Sequence, residues 1–147
     1  MIRFLQTFII MMISVCFTCC GNDGKETLDR ITDSTDPTIQ ANQEKALNIL
    51  EKLIVAEKRF AVKKGYYADL DLLREKGFFT IQDSEIDNSG YNIRLEYNGV
   101  KFLKIYMNPI EYKKTGVISF FADETSKIRG GDHGGKDASE RDPEIFD

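Results

Sequence analysis

Between Gln43 and Gly65 the apolar residues recur every three or four positions. Ala46, Ile49, Leu50, Leu53, Ala56 and Phe60 form the stripe. That spacing places them on one face of an amphipathic helix. Leu47, Ile54 and Ala61 widen it enough to lie against a sheet. Lys63 and Lys64 suit the negative end of the helix dipole, and Gly65 can close it in a left-handed conformation. A second, short helix is predicted at "DLDLLREKG", with Asp69 as its cap, Leu70 and Leu73 facing inward and Gly77 as terminator. Phe78 and Phe79 then enter the core.

Beyond "GFF" the period changes to two. Tyr91, Ile93, Leu95 and Tyr97 alternate with Asn92, Arg94 and Glu96, predicting a strand with one buried and one wet face. Asn98-Gly99 follows, a dipeptide that tolerates positive φ and predicts a type I′ hairpin turn. The second run, Val100 to Met107, alternates less cleanly and stops at Pro109. "GVISFFADE" predicts a third strand, with a turn near Asp123 to Ser126, and "KIRG" starts a short fourth piece. The fold class expected is α+β: an N-terminal amphipathic helix packed on a three- to four-stranded antiparallel β-meander.

The N-terminal segment has a different pattern. Arg3 precedes "FLQTFIIMMISVCF", apolar except for Gln6, Thr7 and Ser14. A positive start with a short apolar run reads as an export signal, with an uncleaved membrane anchor as the alternative. The run is short of the about 20 residues that a bilayer span requires. Residues 21–42, "GNDGKETLDRITDSTDPTIQAN", are rich in Asp, Thr, Gly and Asn, with no sustained apolar period. Such a stretch is expected to be a flexible tether, with Asp36-Pro37 as a turn signal within it.

Charge and cysteine usage narrow the chemistry. The formal net charge is -4, so no basic surplus exists to neutralise phosphates and nucleic acid is not an expected partner. All three cysteines, Cys16, Cys19 and Cys20, precede Gly21. The folded part thus has no disulfide, no thiolate nucleophile and no cysteine zinc site.

A cysteine closing an apolar run and followed by Gly21 and Asn22 resembles a bacterial lipoprotein signal. The best match is Cys20, preceded by "FTC"; Cys19 is the alternative. The family prefers an aliphatic residue three before the cysteine and a small one just before it, where this chain has Phe17 and Cys19. The resemblance implies a diacylglyceryl group on the thiol, cleavage before Cys20 and an acylated new amine. Fatty chains contribute about 0.8 kcal/mol per buried methylene, and two or three of them hold a protein at a bilayer durably. Gly21 after the acylated cysteine would suit outer-membrane sorting.

Read in order, "KKGYYADLDLLREKGF", "SGYNIRLEY", the strand ending "MNP" and "KKTGVISFFADETSKIRG" resemble the globular head of type IV pilins and pseudopilins. That resemblance implies a helix against an antiparallel meander and contacts with a pilus or secretion-system protein. The long apolar helix that packs a true pilin into its filament is replaced here by the lipoprotein-like signal. The organisation expected is a signal at 1–19, the lipidated cysteine and tether at 20–42, a pilin-like α+β domain at 43–131, and a loose acidic tail at 132–147.

The residues for catalysis are sparse. Asp83, Glu85, Asp87, Asp123 and Glu124 are scattered carboxylates of the kind that usually sit in solvent. Ser84, Ser89, Ser119, Ser126 and Ser139 share one histidine, His133, and no G-x-S-x-G elbow occurs. "RGGDHGG" lacks the lysine and serine of a phosphate loop. No metal centre or cofactor is expected, although Asp132, His133 and Asp137 in "DHGGKD" are close enough in sequence to be candidate ligands. The paired aromatics Tyr66-Tyr67, Phe78-Phe79 and Phe120-Phe121 are expected to split, one in the core and its neighbour half-exposed. Together these features predict a non-catalytic, lipid-anchored envelope protein working through contact with another protein. A small ligand- or ion-binding lipoprotein using the acidic C-terminal loop is the alternative, and a carboxylate hydrolase a third.

Overall fold

A computed structural model describes residues 36–100 and 102–146. The expected signal, both candidate acylation sites and the first part of the expected tether lie outside the described residues. Helix α1 runs Pro37–Lys64, not from near Gln43. The Asp36-Pro37 pair that reads as a turn is its start. Asp36 stays extended and its carboxylate accepts from the Thr38 N–H at 2.8 Å, while Pro37 occupies the first turn, where a missing N–H costs nothing. Gly65 closes the helix at φ 83°, donating to the Ala61 carbonyl at 2.7 Å.

Helix α2, Leu70–Glu75, is capped by Asp69, whose carboxylate accepts from the Leu72 N–H at 2.7 Å. Helix α3, Asp83–Asp87, has too few apolar residues to show a period. It is started by Glu85, which accepts from the Gln82 N–H at 3.1 Å, and it carries Ile86 into the core.

The strands β1 (Tyr91–Tyr97), β2 (Leu103–Pro109), β3 (Ile118–Asp123) and β4 (Ile128–Asp132) make an antiparallel sheet in the order β1-β2-β3-β4. Side chains alternate across it. One inner row is Ile93, Met107, Phe120 and Gly130; the next is Leu95, Ile105, Ala122 and Ile128. Against these lie Ala46, Leu50, Leu53, Ala56 and Phe60 of α1, all in one cluster with the sheet.

The Asn98-Gly99 hairpin takes a different form from the expected two-residue turn. The strands end at Tyr97 and resume opposite it at Leu103, and only Gly99 of the pair has positive φ. The reason is parity. A turn at 98–99 would pair Tyr97 with Val100, which faces Lys104 and Tyr106 inward and sends Ile105 and Met107 into solvent. With residues 98–102 as the loop, β2 instead alternates cleanly, with Leu103, Ile105 and Met107 buried.

The C-terminal segment is packed, contrary to its loose appearance in sequence. The Ile145 N–H donates to the Ile128 carbonyl at 2.8 Å, and the Gly130 N–H to the Pro143 carbonyl at 3.1 Å. Ile145 fills space above Gly130, where a Cβ would press on its side chain and on Phe120. Burial of Ala138 and Ile145 explains why the segment stays: glycines and charges dominate its composition, but two apolar residues fall where the sheet needs cover.

Candidate functional site

The outer face of the sheet holds a row that begins and ends in arginine. Arg94, Tyr106, Phe121 and Arg129 are register partners across the four strands. The Arg94 guanidinium lies over the Tyr106 ring at 4.1 Å, and Tyr106 meets Phe121 at 5.4 Å between ring centres. Arg94 also pairs with Glu96 and, at 2.6 Å, with Asp137. Asn108 donates to the other Asp137 oxygen at 2.5 Å.

Asp132, His133 and Asp137 are therefore separated rather than convergent. Asp132 accepts from the Tyr112 hydroxyl at 2.9 Å and from the Gly134 N–H at 3.0 Å. The Gly134 N–H, helped by Tyr112, holds its carboxyl below the usual range. His133 Nε2 lies 2.9 Å from Asp142. Asp137 serves Arg94. Among the described residues no group of three or more His, Cys, Asp or Glu side chains is placed to hold a metal ion. The acidic C-terminal segment works as a row of clasps instead, with Glu144 taking Lys127 at 2.6 Å and Arg129 at 3.2 Å.

Ser89 and Ser139 are similarly occupied, while the buried Ser119 hydroxyl has no partner among the described residues. The Ser139 hydroxyl donates to Asp142 at 3.2 Å, so Ser139 and His133 share one carboxylate and the hydroxyl has no imidazole base. The Ser89 hydroxyl donates to the Ile86 carbonyl at 2.6 Å. Asp83 pairs with Arg74 at 2.7 Å, and Asp123 accepts from the Thr125 N–H at 2.9 Å.

Two buried polar side chains are absent from the sequence candidates, though their positions are legible. Gln43 and Glu57 fall on the apolar stripe of α1, at the same three- and four-residue spacing from Ala46, Leu53 and Phe60. Gln43 Oε1 accepts from the N–H groups of Val117 at 3.0 Å and Ile118 at 3.2 Å, tying the helix to the entry of β3. Glu57 is 0% exposed. Burial pushes its carboxyl up to about 7; the Ala68 N–H, 3.2 Å from Oε2, opposes this and the nearby Asp69 charge adds to it. Its Oε1 is buried without a partner among the described residues.

The aromatic pairs divide unevenly. Phe79 is core and Phe78 half-buried, which fits the expected split and not the expectation that both enter the core. Phe120 and Phe121 are both buried, because the segment around Ala138 covers the second face. Tyr66 is exposed and Tyr67 half-buried, so neither is core.

The two sheet edges also differ. Residues 143–145 bond along β4 and seal it. The outer edge of β1 has no pairing strand among the described residues, and it leaves Asn92, Arg94 and Glu96 in solvent. No helix among the described residues is long and apolar enough to cross a membrane. Compared with protein-family models, with characterised proteins and with solved structures, the chain matches none.

Proposed function

We propose that the chain is a lipid-anchored, non-catalytic protein of the bacterial cell envelope, held through an acylated Cys20 and working by contact with another envelope protein. Its head has the arrangement of a type IV pilin head: one long helix laid on an antiparallel meander. The observation that carries the contact is the contrast between the two sheet edges. One is bonded over Ile128 to Gly130 by residues 143–145; the other, β1, offers main-chain donors and acceptors to an added strand. The engagement of Asp132, His133 and Asp137 with separate protein partners favours this over an ion-binding loop.

Metabolic labelling with a tagged fatty acid, followed by membrane fractionation, tests the anchor in wild type, Cys20→Ser and Cys19→Ser. The expected result is label and membrane recovery in wild type and Cys19→Ser, and loss of both in Cys20→Ser. An unlabelled wild-type protein in the aqueous fraction refutes it. A photocrosslinking side chain at Asn92 tests the contact: a discrete adduct is expected there and none from the same group at Glu140.

A further inference from the structure

The charge of this acidic chain is unevenly distributed, and its C-terminal helical half is basic. After Glu57, α1 carries Lys58, Arg59, Lys63 and Lys64 and no acidic residue. Lys76 comes up beside them from the end of α2. A concavity of about 490 Å³ lies here, lined by Lys58, Arg59, Lys63 and Lys76 with Val62 and Phe78. No carboxylate lines it, although Lys76 is paired with Glu75 at 2.6 Å. Val62 is 89% exposed on the last turns of a helix whose opposite face is core. Val55, 54% exposed and two turns earlier, shares this side of α1, while Tyr66, 42% exposed, follows the helix end with its ring edge-on to Phe60. Lys63 already rests over the Phe78 ring at 5.6 Å. The dipole of α1 accounts for Lys63 and Lys64 in its last turn. It does not account for Lys58 and Arg59 a turn earlier, nor for the exposed valine between the cations.

We infer that this basic face, Val62 ringed by Lys58, Arg59, Lys63 and Lys76, rests on an anionic membrane surface. The chemistry is complementary in both parts. Ammonium and guanidinium groups meet lipid phosphates, and Val62, with Val55 on the same side of α1, enters the headgroup boundary. The inference rests on the anchored-head reading only for bringing the head within reach of a bilayer. The reach suffices. Val62 lies about 38 Å along the helix from Pro37 at the ordinary rise per residue. The chain from Cys20 to Asp36 extends at most about 58 Å. The head can therefore lie with α1 along the bilayer. The Arg94–Asp137 clasp belongs to the outer face of the sheet, whereas Glu144, paired with Lys127 and Arg129, borders α1 beside Val55 and Lys58.

The chain contains no tryptophan, so Val62→Trp installs a single fluorescent reporter in the full-length protein. Its emission is read with vesicles of phosphatidylcholine alone and with vesicles containing phosphatidylglycerol. A blue shift confined to the anionic vesicles, reversed by salt, is expected. The same chain with Lys58→Glu, Arg59→Glu and Lys63→Glu is expected to lose at least about tenfold in the vesicle affinity of the reporter. All three side chains are exposed, and an unchanged thermal midpoint shows that the triple variant folds. No shift, an equal shift on neutral vesicles, or a shift that survives charge reversal overturns the inference. Fatty-acid label on the Val62→Trp chain with unshifted emission refutes the basic face and spares the anchor. Shifted emission without label does the opposite.

Discussion

The Glu57 carboxylate accepts the Ala68 N–H at 3.2 Å from a position with no solvent exposure. The helix thus places a titratable group where its neighbours are Leu53, Phe60 and the chain leaving Gly65, and it meets that chain through one main-chain donor. The adjoining Tyr67 N–H donates to the Gly99 carbonyl at 3.0 Å, so the same short stretch links α1 to the β1–β2 loop.

The first prediction is a pH slope. The folded carboxyl titrates near 7 and the free group near 4.5. The folded state therefore holds the proton more tightly, and the stability this confers is complete below about pH 4.5. It is lost as pH rises toward 7, by on the order of 3 kcal/mol. Urea unfolding of wild type and Glu57→Gln at intervals from pH 4 to 8 measures the difference. The wild type should lose stability relative to Glu57→Gln across that window and run parallel above it. Parallel curves throughout would show that Glu57 titrates alike in the folded and unfolded chain.

Gln43 should prove a structural tie. Replacing it with Leu keeps the volume and leaves the Val117 and Ile118 N–H groups without their acceptor. The expected loss is about 2–3 kcal/mol, with Gln43→Glu costing less because it retains an oxygen. Denaturant midpoints for both variants check the order; a Leu variant as stable as wild type would mean that water replaces the side chain.

Gly116 is required by Tyr91. A Cβ there would overlap the hydroxyl and ring carbons of a fully buried Tyr91, whose O–H donates to the Ile118 carbonyl at 2.8 Å. Gly116→Ala should cost about 3 kcal/mol through overpacking. At Gly77 a Cβ meets nothing within 4 Å, so alanine there pays only for the positive φ of 73°, about 1 kcal/mol. Thermal melts of the two variants should rank in that order.

The C-terminal segment should behave as part of the fold. Ile145→Ala removes a buried side chain packed over Gly130 and is expected to cost about 2–4 kcal/mol. Limited proteolysis should leave 133–146 intact in wild type and cut it early in Ile145→Ala. A loose tail would show neither effect.

Much of this architecture follows from local pattern. The stripe from Ala46 to Phe60, the Asp69 cap, the Gly65 and Gly77 stops and the order of four strands are consequences of residue spacing and backbone preference, which act over a few residues. The start of α1 at Pro37 was also within reach, since Asp followed by Pro begins a helix as readily as it makes a turn. Other features needed the tertiary structure. The loop at 98–102 is set by which face of β2 must meet α1, a constraint that Asn98-Gly99 does not contain. The burial of Phe121 and the packing of residues 133–146 depend on one another across the sheet, and either sequence alone reads as surface. The dispersal of Asp132, His133 and Asp137 to Tyr112, Asp142 and Arg94 follows from partners distant in sequence. So does the buried state of Glu57, for its place on the stripe is visible in the chain while its burial depends on which segments fold over it. Short-range spacing decided the elements; the sharing of space between distant segments decided which side chains are covered, paired or left facing out.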